Sequence, residues 1–360
     1  MKNIKEIAVT AMMTLLVLPA MAAKGTPREQ LLDRLQKLQK RGVMMGMQDA
    51  PVYGTTWKWD EGRCDMKEVC GDYPAVMGFD LGKLELDSKE NLDGVPFDRI
   101  RKEVRLQHER GGVVTISWHP WNPATGENAW DPKGDAVVAS LPGGAQNAKF
   151  HSWVVKVADF LKSLKTTDGK AVPVIFRPWH EMTGGWFWWG CNSCTPEQYK
   201  QLFRYTIDIL KEEGVTNCAW SYSPGADSKE TVERYMRYYP GDEYVDMLGV
   251  DIYRYGTHDQ FMNNIRLECE IMRKEARDRN KLYAITETGY RNTPQSDWFT
   301  AAVLPIMLEF DMSYVLLWRN AWDQKEENFA PAPDKECAAD FRKLYGHKRT
   351  LFAKDIKNIK

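Results

Sequence analysis

Eight short segments rich in Val, Ile and aromatic residues recur along the chain and alternate with longer segments of helical periodicity. The short segments are nearly continuously apolar, which is typical of parallel strands covered on both faces. They are Val43–Met47, Ala75–Phe79, Val113–Trp118, Val172–Arg177, Cys218–Tyr222, Met247–Tyr253, Leu282–Glu287 and Tyr314–Trp318. Eight strand–helix units in a chain of 360 residues predict an α/β fold, the (β/α)8 TIM barrel.

Helix signals between these segments agree with that fold. Thr26-Pro27-Arg28-Glu29 and Thr195-Pro196-Glu197-Gln198 are capping boxes with proline at the first helical position. Helical patterns also cover Phe97–Arg110, Phe150–Leu164 and roughly residues 259–278. A doubly wound sheet is the competing fold, but no Gly-x-Gly-x-x-Gly motif follows an early strand. Because no linker or change of composition divides the chain, residues 23–360 are predicted to form a single domain.

The first 22 residues have the pattern of a secretory signal peptide. Lys2 and Lys5 precede an apolar stretch over Ile7–Leu18, and Ala20-Met21-Ala22 offers small residues for cleavage. The stretch is too short for a membrane-spanning helix, and a buried N-terminal helix is the alternative interpretation. No Cys follows it to carry a lipid anchor there. We therefore expect an exported protein, periplasmic or secreted, with no membrane anchor.

The overall charge excludes several classes of protein. The chain has 49 Lys and Arg against 50 Asp and Glu, with a mean hydropathy of −0.52. This balance argues against a nucleic-acid-coating protein, a disordered chain and a polytopic membrane protein. We expect a monomer that binds no nucleic acid.

Seven cysteines raise the question of disulfides, which an exported protein is able to form. Cys64 and Cys70, and Cys191 and Cys194, are close enough in sequence for local disulfides, with buried free thiols as the alternative. The odd number leaves at least one thiol free or paired between chains. A zinc site at Cys191 and Cys194 would need a second pair at matching spacing, and the sequence has none.

Polar and aromatic residues cluster where the predicted strands end, and active sites of TIM barrels lie at those ends. Glu181 follows the fourth segment and Glu287 ends the seventh, so the two should face each other across the barrel mouth. A lone glutamate at a strand end is more often a surface salt-bridge partner. Two of them beside aromatic residues favour glycoside hydrolysis, which requires a pair of carboxyl groups.

The surroundings of the two glutamates differ. Glu181 lies next to Trp179 and the aromatic run Trp186–Trp189, and apolar surroundings raise the pKa of a carboxyl group as a general acid requires. Glu287 lies among Thr and Gly and suits the nucleophile. A zinc-protease interpretation of His180-Glu181 fails because position 184 is glycine. No metal or organic cofactor is expected for a reaction carried by two carboxyl groups.

Tryptophan is abundant, with 14 residues. We interpret Trp186–Trp189, which Gly185 and Gly190 bracket, as a wall on which sugars stack. Nine tryptophans fall at or just past the predicted strand ends, which predicts an aromatic lining at one face of the barrel. They are Trp118, Trp121, Trp179, Trp186, Trp188, Trp189, Trp220, Trp318 and Trp322.

These motifs together resemble glycoside hydrolase family 26, the β-mannanases. Arg177-Pro178-Trp179-His180-Glu181 with Gly185-Trp186-Phe187-Trp188-Trp189-Gly190 resembles the acid/base motif of that family, and Ile285-Thr286-Glu287-Thr288-Gly289 resembles its nucleophile motif. Shorter similarities run through Trp118-His119-Pro120, Asp251-Ile252-Tyr253 and Leu317-Trp318-Arg319-Asn320. The resemblance therefore extends over most of residues 23–360.

The resemblance implies a retaining, double-displacement cleavage of internal β-1,4-mannosidic bonds in mannan, glucomannan or galactomannan. It implies Glu181 as acid/base and Glu287 as nucleophile, with Tyr253 hydrogen-bonded to Glu287. The residues it places around the attacked mannosyl unit are His119, His180, Trp186, Asp251, Tyr253 and Trp318. Arg319 matches a residue that holds the next sugar on the non-reducing side, and Trp130 is a further candidate contact.

Other activities stay open at this point. The family resemblance also admits release of mannobiose from chain ends, or action on β-1,3-xylan or mixed-linkage glucan. Long loops over Asp49–Tyr73 and Asn122–Gly144 could close one end of the cleft and favour short products. The alternative outside the enzymes is a non-catalytic sugar-binding protein that keeps the aromatic cleft. For the retaining enzyme, the carboxyl groups of Glu181 and Glu287 should lie about 5–5.5 Å apart.

Overall fold

A parallel sheet that closes on itself organises the chain. The computed structural model describes residues 25–359, so the predicted signal peptide lies outside the described residues. The first eight strands pair in sequence order, and β1 pairs with both β2 and β8 to close the barrel. The strands are β1 (Val43–Gln48), β2 (Val76–Asp80), β3 (Val113–Trp118), β4 (Val174–Pro178), β5 (Cys218–Tyr222), β6 (Met247–Tyr253), β7 (Leu282–Gly289), β8 (Tyr314–Leu317) and a short β9 (Thr350–Leu351) beside β1.

Helices connect the strands and pack around the barrel. The capping boxes at Thr26 and Thr195 are both present and begin helices α1 and α6. The helices are α1 (Pro27–Gln39), α2 (Asp65–Cys70), α3 (Phe97–Glu109), α4 (Ala136–Ser140), α5 (Asn147–Ser163), α6 (Pro196–Glu212), α7 (Val232–Tyr235), α8 (His258–Arg279), α9 (Leu304–Glu309), α10 (Ala338–Tyr345) and α11 (Ala353–Ile356). Short 3-10 turns cover Leu84–Leu86 and Met236–Tyr238, and a π-helical turn over Phe299–Val303 precedes α9.

The predicted (β/α)8 barrel is confirmed, and the doubly wound alternative is excluded. Each of the eight predicted strands is present, with ends that shift by at most two residues. Val172–Arg177 becomes Val174–Pro178, for example, and the last segment ends at Leu317. The strands are buried along almost their whole length, as continuously apolar parallel strands should be.

Helix α1 closes the amino-terminal end of the barrel. Its buried face carries Leu31, Leu35 and Leu38, which belong to one apolar cluster with Met44 of β1 and Ile175 of β4. Burying three leucine side chains contributes roughly 1.5–3 kcal/mol each. Because this end is plugged, only the carboxyl ends of the strands remain open to a substrate.

Two further predictions from the sequence concern membrane-spanning helices and disulfide bonds. Within residues 25–359, no helix is both long enough and apolar enough to cross a bilayer. All seven cysteines fall in this range and are free thiols, so the structure has the thiol alternative rather than local disulfides. Burial raises the pKa of Cys64 to about 12, which makes that thiol a packed apolar group rather than a reactive one.

Candidate active site

An irregularity in the pairing of β6 and β7 brings two carboxyl groups side by side. Val250 pairs with Ile285, but the next pair is Asp251 with Glu287, so Thr286 is an extra residue in β7. A bulge of this kind redirects side chains locally. The hydroxyl of Thr286 donates to Asp251 Oδ1 at 2.7 Å, and the hydroxyl of Ser223 reaches the same oxygen at 2.9 Å. Asp251 and Glu287 therefore lie at the same level of the barrel mouth.

Arg177, at the end of β4, holds both of these carboxyl groups. Its Nη1 donates to Asp251 Oδ2 at 2.6 Å and its Nη2 donates to Glu287 Oε1. The side chain of Arg177 is only 3% exposed, so its charge has to be compensated inside the protein. The hydroxyl of Tyr253 donates to the other Glu287 oxygen at 2.7 Å, as the resemblance implies. Glu287 is thus oriented by two donors that stabilise negative charge.

The pKa of Asp251 is raised to about 7. Burial is the main cause and the charge of Glu287 raises the pKa further, while the charge of Arg177 lowers it. Asp251 therefore shares the positive charge of Arg177 with Glu287, and it gains or loses a proton near neutral pH. Asp251 is only 3% exposed and is a partner of the nucleophile candidate, and it also borders the cavity that opens beside Glu181.

Glu181 has the opposite environment. Burial first, and then the charges of Asp251 and Glu287, raise the pKa of Glu181 well above its ordinary value. The indole Nε1 of Trp186 donates to Glu181 Oε2 at 3.0 Å. A carboxyl group whose pKa is raised, beside a carboxyl group that accepts hydrogen bonds from Arg177 and Tyr253, is the combination that acid-assisted displacement requires.

The backbone that carries Glu181 is strained. Trp179 and Glu181 have φ of 57° and 54°, a left-handed conformation that a side chain makes unfavourable. Hydrogen bonds hold it in place: the hydroxyl of Tyr199 donates to the Trp179 carbonyl, Trp189 Nε1 donates to the His180 carbonyl, and the Glu181 amide donates to the Ser223 carbonyl, all at 2.8 Å. The strain is offset by these contacts and fixes where the carboxyl group of Glu181 points.

His119 and His180 form a buried pair beside the carboxyl groups. Their Nε2 atoms are 3.0 Å apart, and Nδ1 of His119 is 2.7 Å from Asp80 Oδ2. Burial lowers the pKa of His119, but the charge and hydrogen bond of Asp80 together with the charges of Glu287 and Asp93 outweigh it and leave the pKa raised. Burial, Arg177 and His119 together lower the pKa of His180 well below its ordinary value. These opposite shifts favour a positive charge on His119 rather than on His180.

Arg319 lies across the mouth, after β8. Its Nη1 donates to Asp93 Oδ1 at 2.5 Å and contacts the hydroxyl of Tyr53 at 3.4 Å. The Tyr53 hydroxyl in turn donates to Asp49 at 2.7 Å. With two carboxyl groups nearby, the charge of Arg319 is compensated, so its free donors suit a neutral sugar rather than an anionic one.

A cavity of about 820 Å³ opens beside Glu181 on the other half of the mouth, over β4, β5 and β6. Trp186, Tyr253, Tyr255 and Gln260 line it together with Glu181. Trp186 is 47% exposed and Tyr255 82% exposed. The cavity and the Arg319 cluster thus lie on opposite sides of the two glutamates, and Trp318 is half-buried at the end of β8.

The interpretation of Trp186–Trp189 as a sugar-stacking wall is wrong except for Trp186. Phe187, Trp188 and Trp189 are buried, and so are Trp118, Trp179 and Trp220. Their indoles pack on each other at centroid distances of 5.2–5.4 Å and hold loop backbone. Trp188 Nε1, for example, donates to the Pro120 carbonyl at 2.9 Å. Most of these tryptophans therefore form the buried floor of the site. Their rings pack against apolar neighbours, and several of their indole N–H groups have hydrogen-bond acceptors.

Several residues that organise the site were missed in the sequence. Asp80 ends β2, Arg177 lies next to the last residue of β4, Ser223 follows β5, and Thr286 lies within β7. The available signal was a charged residue directly after an apolar run, since a buried charge requires a partner. His180, Asp251 and Glu287 have potential ligand atoms within 4.8 Å of one another. Arg177 already supplies the positive charge there, so this arrangement does not fit a metal ion.

The barrel, its open carboxyl end and the two glutamates in contrasting environments define the class of the protein as a glycoside hydrolase. Comparison of the sequence with family models matches residues 21–297 to glycosyl hydrolase family 26. The chain belongs to this family.

Individual relatives agree. A mannan endo-1,4-beta-mannosidase from Bifidobacterium adolescentis is 32% identical over 72% of this chain, which spans about a quarter (26%) of that relative's length. A mannan endo-1,4-beta-mannosidase from Bacillus subtilis is 27% identical, covering 71% of this chain and 69% of the relative. Among solved structures, a GH26 beta-mannanase from Bacteroides ovatus is 40% identical with a TM-score of 0.90, covering 94% of this chain and 98% of the other.

Proposed function

We propose that this protein is an endo-β-1,4-mannanase that cleaves internal bonds of mannan, glucomannan or galactomannan with retention of configuration. The observation that carries the chemistry is the contrast between Glu181, whose pKa is raised well above the ordinary range, and Glu287, held by Arg177 and Tyr253. The substrate is supported by the names of the relatives, which are mannan endo-1,4-beta-mannosidases and a beta-mannanase.

The reaction follows from these positions in two displacements. Glu287 attacks the anomeric carbon while Glu181 donates its proton to the departing oxygen, which leaves a glycosyl ester on Glu287. Glu181, now a carboxylate, removes a proton from water, and the oxygen of that water displaces Glu287. His119, His180, Asp251, Tyr253 and Trp318 surround the attacked sugar in this proposal.

The polysaccharide crosses both halves of the mouth in this proposal. The departing sugar lies beyond Glu181, where the 820 Å³ cavity has a volume within the range of about 300–1,000 Å³ typical of ligand sites. The non-reducing side lies toward Arg319, with Trp186 beside the cleaved bond. Since the cavity is open, the rest of a long chain can occupy it, and the names of the relatives, mannan endo-1,4-beta-mannosidases, support endo action over release of mannobiose from chain ends.

Two measurements test the proposal. Proton NMR during hydrolysis of mannotetraose should show the β-anomer first, and initial formation of the α-anomer would contradict retention. On galactomannan, viscosity should fall much faster than reducing ends accumulate. Mannobiose as the sole early product would instead support the exo-acting alternative, and no hydrolysis of mannan, β-1,3-xylan or mixed-linkage glucan would support a non-catalytic sugar-binding protein.

We also propose that the chain is exported, on the signal-peptide pattern of residues 1–22. Expression of the full sequence in a bacterium with a periplasm, followed by N-terminal sequencing of the protein recovered there, tests this. The expected first residue is Ala23. Recovery of the uncleaved chain from the cytoplasm would contradict it.

A further inference from the structure

Three buried side chains form a line that ends at the candidate active site. Asp80 ends β2, His119 follows β3 and His180 follows β4. They are 1%, 7% and 1% exposed, so bulk water does not set their proton positions. The positions of the protons therefore have to follow from the hydrogen bonds among these three side chains.

The contacts begin at Asp80. Its Oδ2 accepts from Ser117 Oγ at 2.6 Å and its Oδ1 accepts from the Gly82 amide at 2.6 Å. These donors stabilise a carboxylate, so His119 Nδ1, 2.7 Å from Oδ2, carries a proton. The charges that raise the pKa of His119 favour a ring protonated on Nε2 as well, and that second proton points at His180 Nε2 at 3.0 Å.

The second histidine has only one arrangement left. Because His180 Nε2 accepts from His119, the single proton of neutral His180 must be on Nδ1. That Nδ1 is buried and has no hydrogen-bond partner in the protein. A buried N–H without a partner costs about 1–3 kcal/mol, which a bound ligand can recover. One ring nitrogen of His180 also lies within 4.8 Å of carboxylate oxygens of Asp251 and Glu287, which puts this ring beside the nucleophile candidate.

We propose that Asp80 and His119 are positioning residues that fix His180 in the Nδ1–H tautomer, so that Nδ1–H donates a hydrogen bond to the sugar attacked by Glu287. This inference rests on the proposed function for its substrate. Asp80 does not contact the polysaccharide in this proposal, since its two carboxylate oxygens are already engaged by Ser117, the Gly82 amide and His119.

The electrostatic surroundings of the pair agree with this order of protons. His119 faces Asp80, Glu287 and Asp93, and together their charges outweigh burial and raise its pKa. The ring of Trp130 also stacks on His119 at 5.4 Å with a 14° angle, a contact that favours a cationic ring. His180 faces the cations Arg177 and His119, which add to burial in lowering its pKa.

A consequence for pH dependence follows. When pH rises through the pKa of His119, its Nε2 loses the proton and becomes an acceptor. His180 then has to place its own proton on Nε2, and the donor toward the sugar disappears. Asp80 extends the productive arrangement to higher pH by raising the pKa of His119.

The direct test is NMR on the unmutated protein. Two-bond ¹H–¹⁵N spectra distinguish the tautomers of the 6 histidines. At pH 6 we expect His119, assigned by the loss of its signals in His119→Gln, to be doubly protonated, and His180 to be the Nδ1–H tautomer. A neutral His119, or His180 protonated on Nε2, would overturn the proposal whether or not the protein hydrolyses mannan.

The functional test uses Asp80→Asn. Partners that fix a histidine tautomer typically contribute roughly 10- to 100-fold, so kcat on mannotetraose should fall by that factor, and the alkaline limb of the pH profile should shift to lower pH. Asp340→Asn is the matched control, because Asp340 is also a buried aspartate, on α10, with hydrogen bonds from Thr300. An unchanged pH profile in Asp80→Asn, or an equal shift in the control, would overturn the positioning role. If the unmutated protein lacks mannanase activity, the proposed function fails instead.

Discussion

Replacing Arg177 by methionine removes the cation that bridges two buried carboxyl groups. Arg177 makes one charge-assisted hydrogen bond to Asp251 and one to Glu287. At about 1.5–3 kcal/mol each, their loss should lower the free energy of unfolding by about 3–6 kcal/mol. This range agrees with the decrease of about 3–5 kcal/mol in the free energy of unfolding that is usual when a buried ion pair is broken.

The loss should also depend on pH. With Arg177 present, the pKa of Asp251 is about 7. Without that cation the folded-state pKa rises further, so the folded variant holds a proton that the unmutated protein releases above pH 7. Stability of the variant therefore falls more steeply with pH, and the difference should grow by about 1.4 kcal/mol per pH unit above pH 7.

Urea unfolding at pH 7, 8 and 9, followed by tryptophan fluorescence, measures this difference. Arg28→Met is the control, since Arg28 bridges Asp246 but is 34% exposed and its loss should cost about 1 kcal/mol or less. The pH dependence should shrink in the double variant Arg177→Met/Asp251→Asn. A stability loss for Arg177→Met that is equal at pH 7 and pH 9 would refute the electrostatic reasoning and assign the effect to packing.

Three further predictions concern the glutamates and the tryptophans. Glu181→Gln should lower kcat on mannan by roughly 10²–10⁴-fold and remove the part of the alkaline limb that deprotonation of Glu181 produces, leaving the part that His119 sets. An aryl mannobioside with an acidic leaving group should keep a fast first step, and equal losses on both substrates would contradict the acid role. Glu287→Ala should abolish turnover and leave binding of manno-oligosaccharides measurable by calorimetry, and retained hydrolysis would exclude it as nucleophile. Trp188→Ala removes a fully buried ring and should lower the free energy of unfolding by about 3–5 kcal/mol. Trp186→Ala removes an exposed ring and should leave the melting temperature nearly unchanged but raise KM. The reverse pattern would contradict the assignment of Trp188 to the buried floor and of Trp186 to the substrate surface.

The sequence predicts the barrel well because the spacing of apolar residues within a segment is a local property that reflects which faces of the strand or helix are buried. A strand covered on both faces must be apolar throughout, so segments such as Val113–Trp118 are recognisable without knowledge of their neighbours. The position of Glu181 and Glu287 follows from the same map, since strand ends share one face of a TIM barrel.

What the sequence does not reveal depends on side-chain direction outside regular structure. Trp186 and Trp188 have nearly the same sequence context, yet one is exposed and the other is buried, because the loop between Gly184 and Gly190 turns back on itself. The bridge from Arg177 to Asp251 and Glu287 joins residues 74 and 110 positions apart. It also depends on the extra residue Thr286 in β7, and no periodic pattern encodes that bulge.

The left-handed backbone at Glu181 means that catalysis and stability are in opposition at this position. Glycine adopts φ near 54° without the cost that a side chain imposes, and that cost is about 1–3 kcal/mol for a non-glycine residue. Drift under selection for stability alone would therefore lead toward glycine or asparagine here and lose the carboxyl group. A glutamate at this position is maintained only while the chain is selected for turnover. In a descendant that has lost activity, we therefore expect residue 181 to be among the first to be substituted.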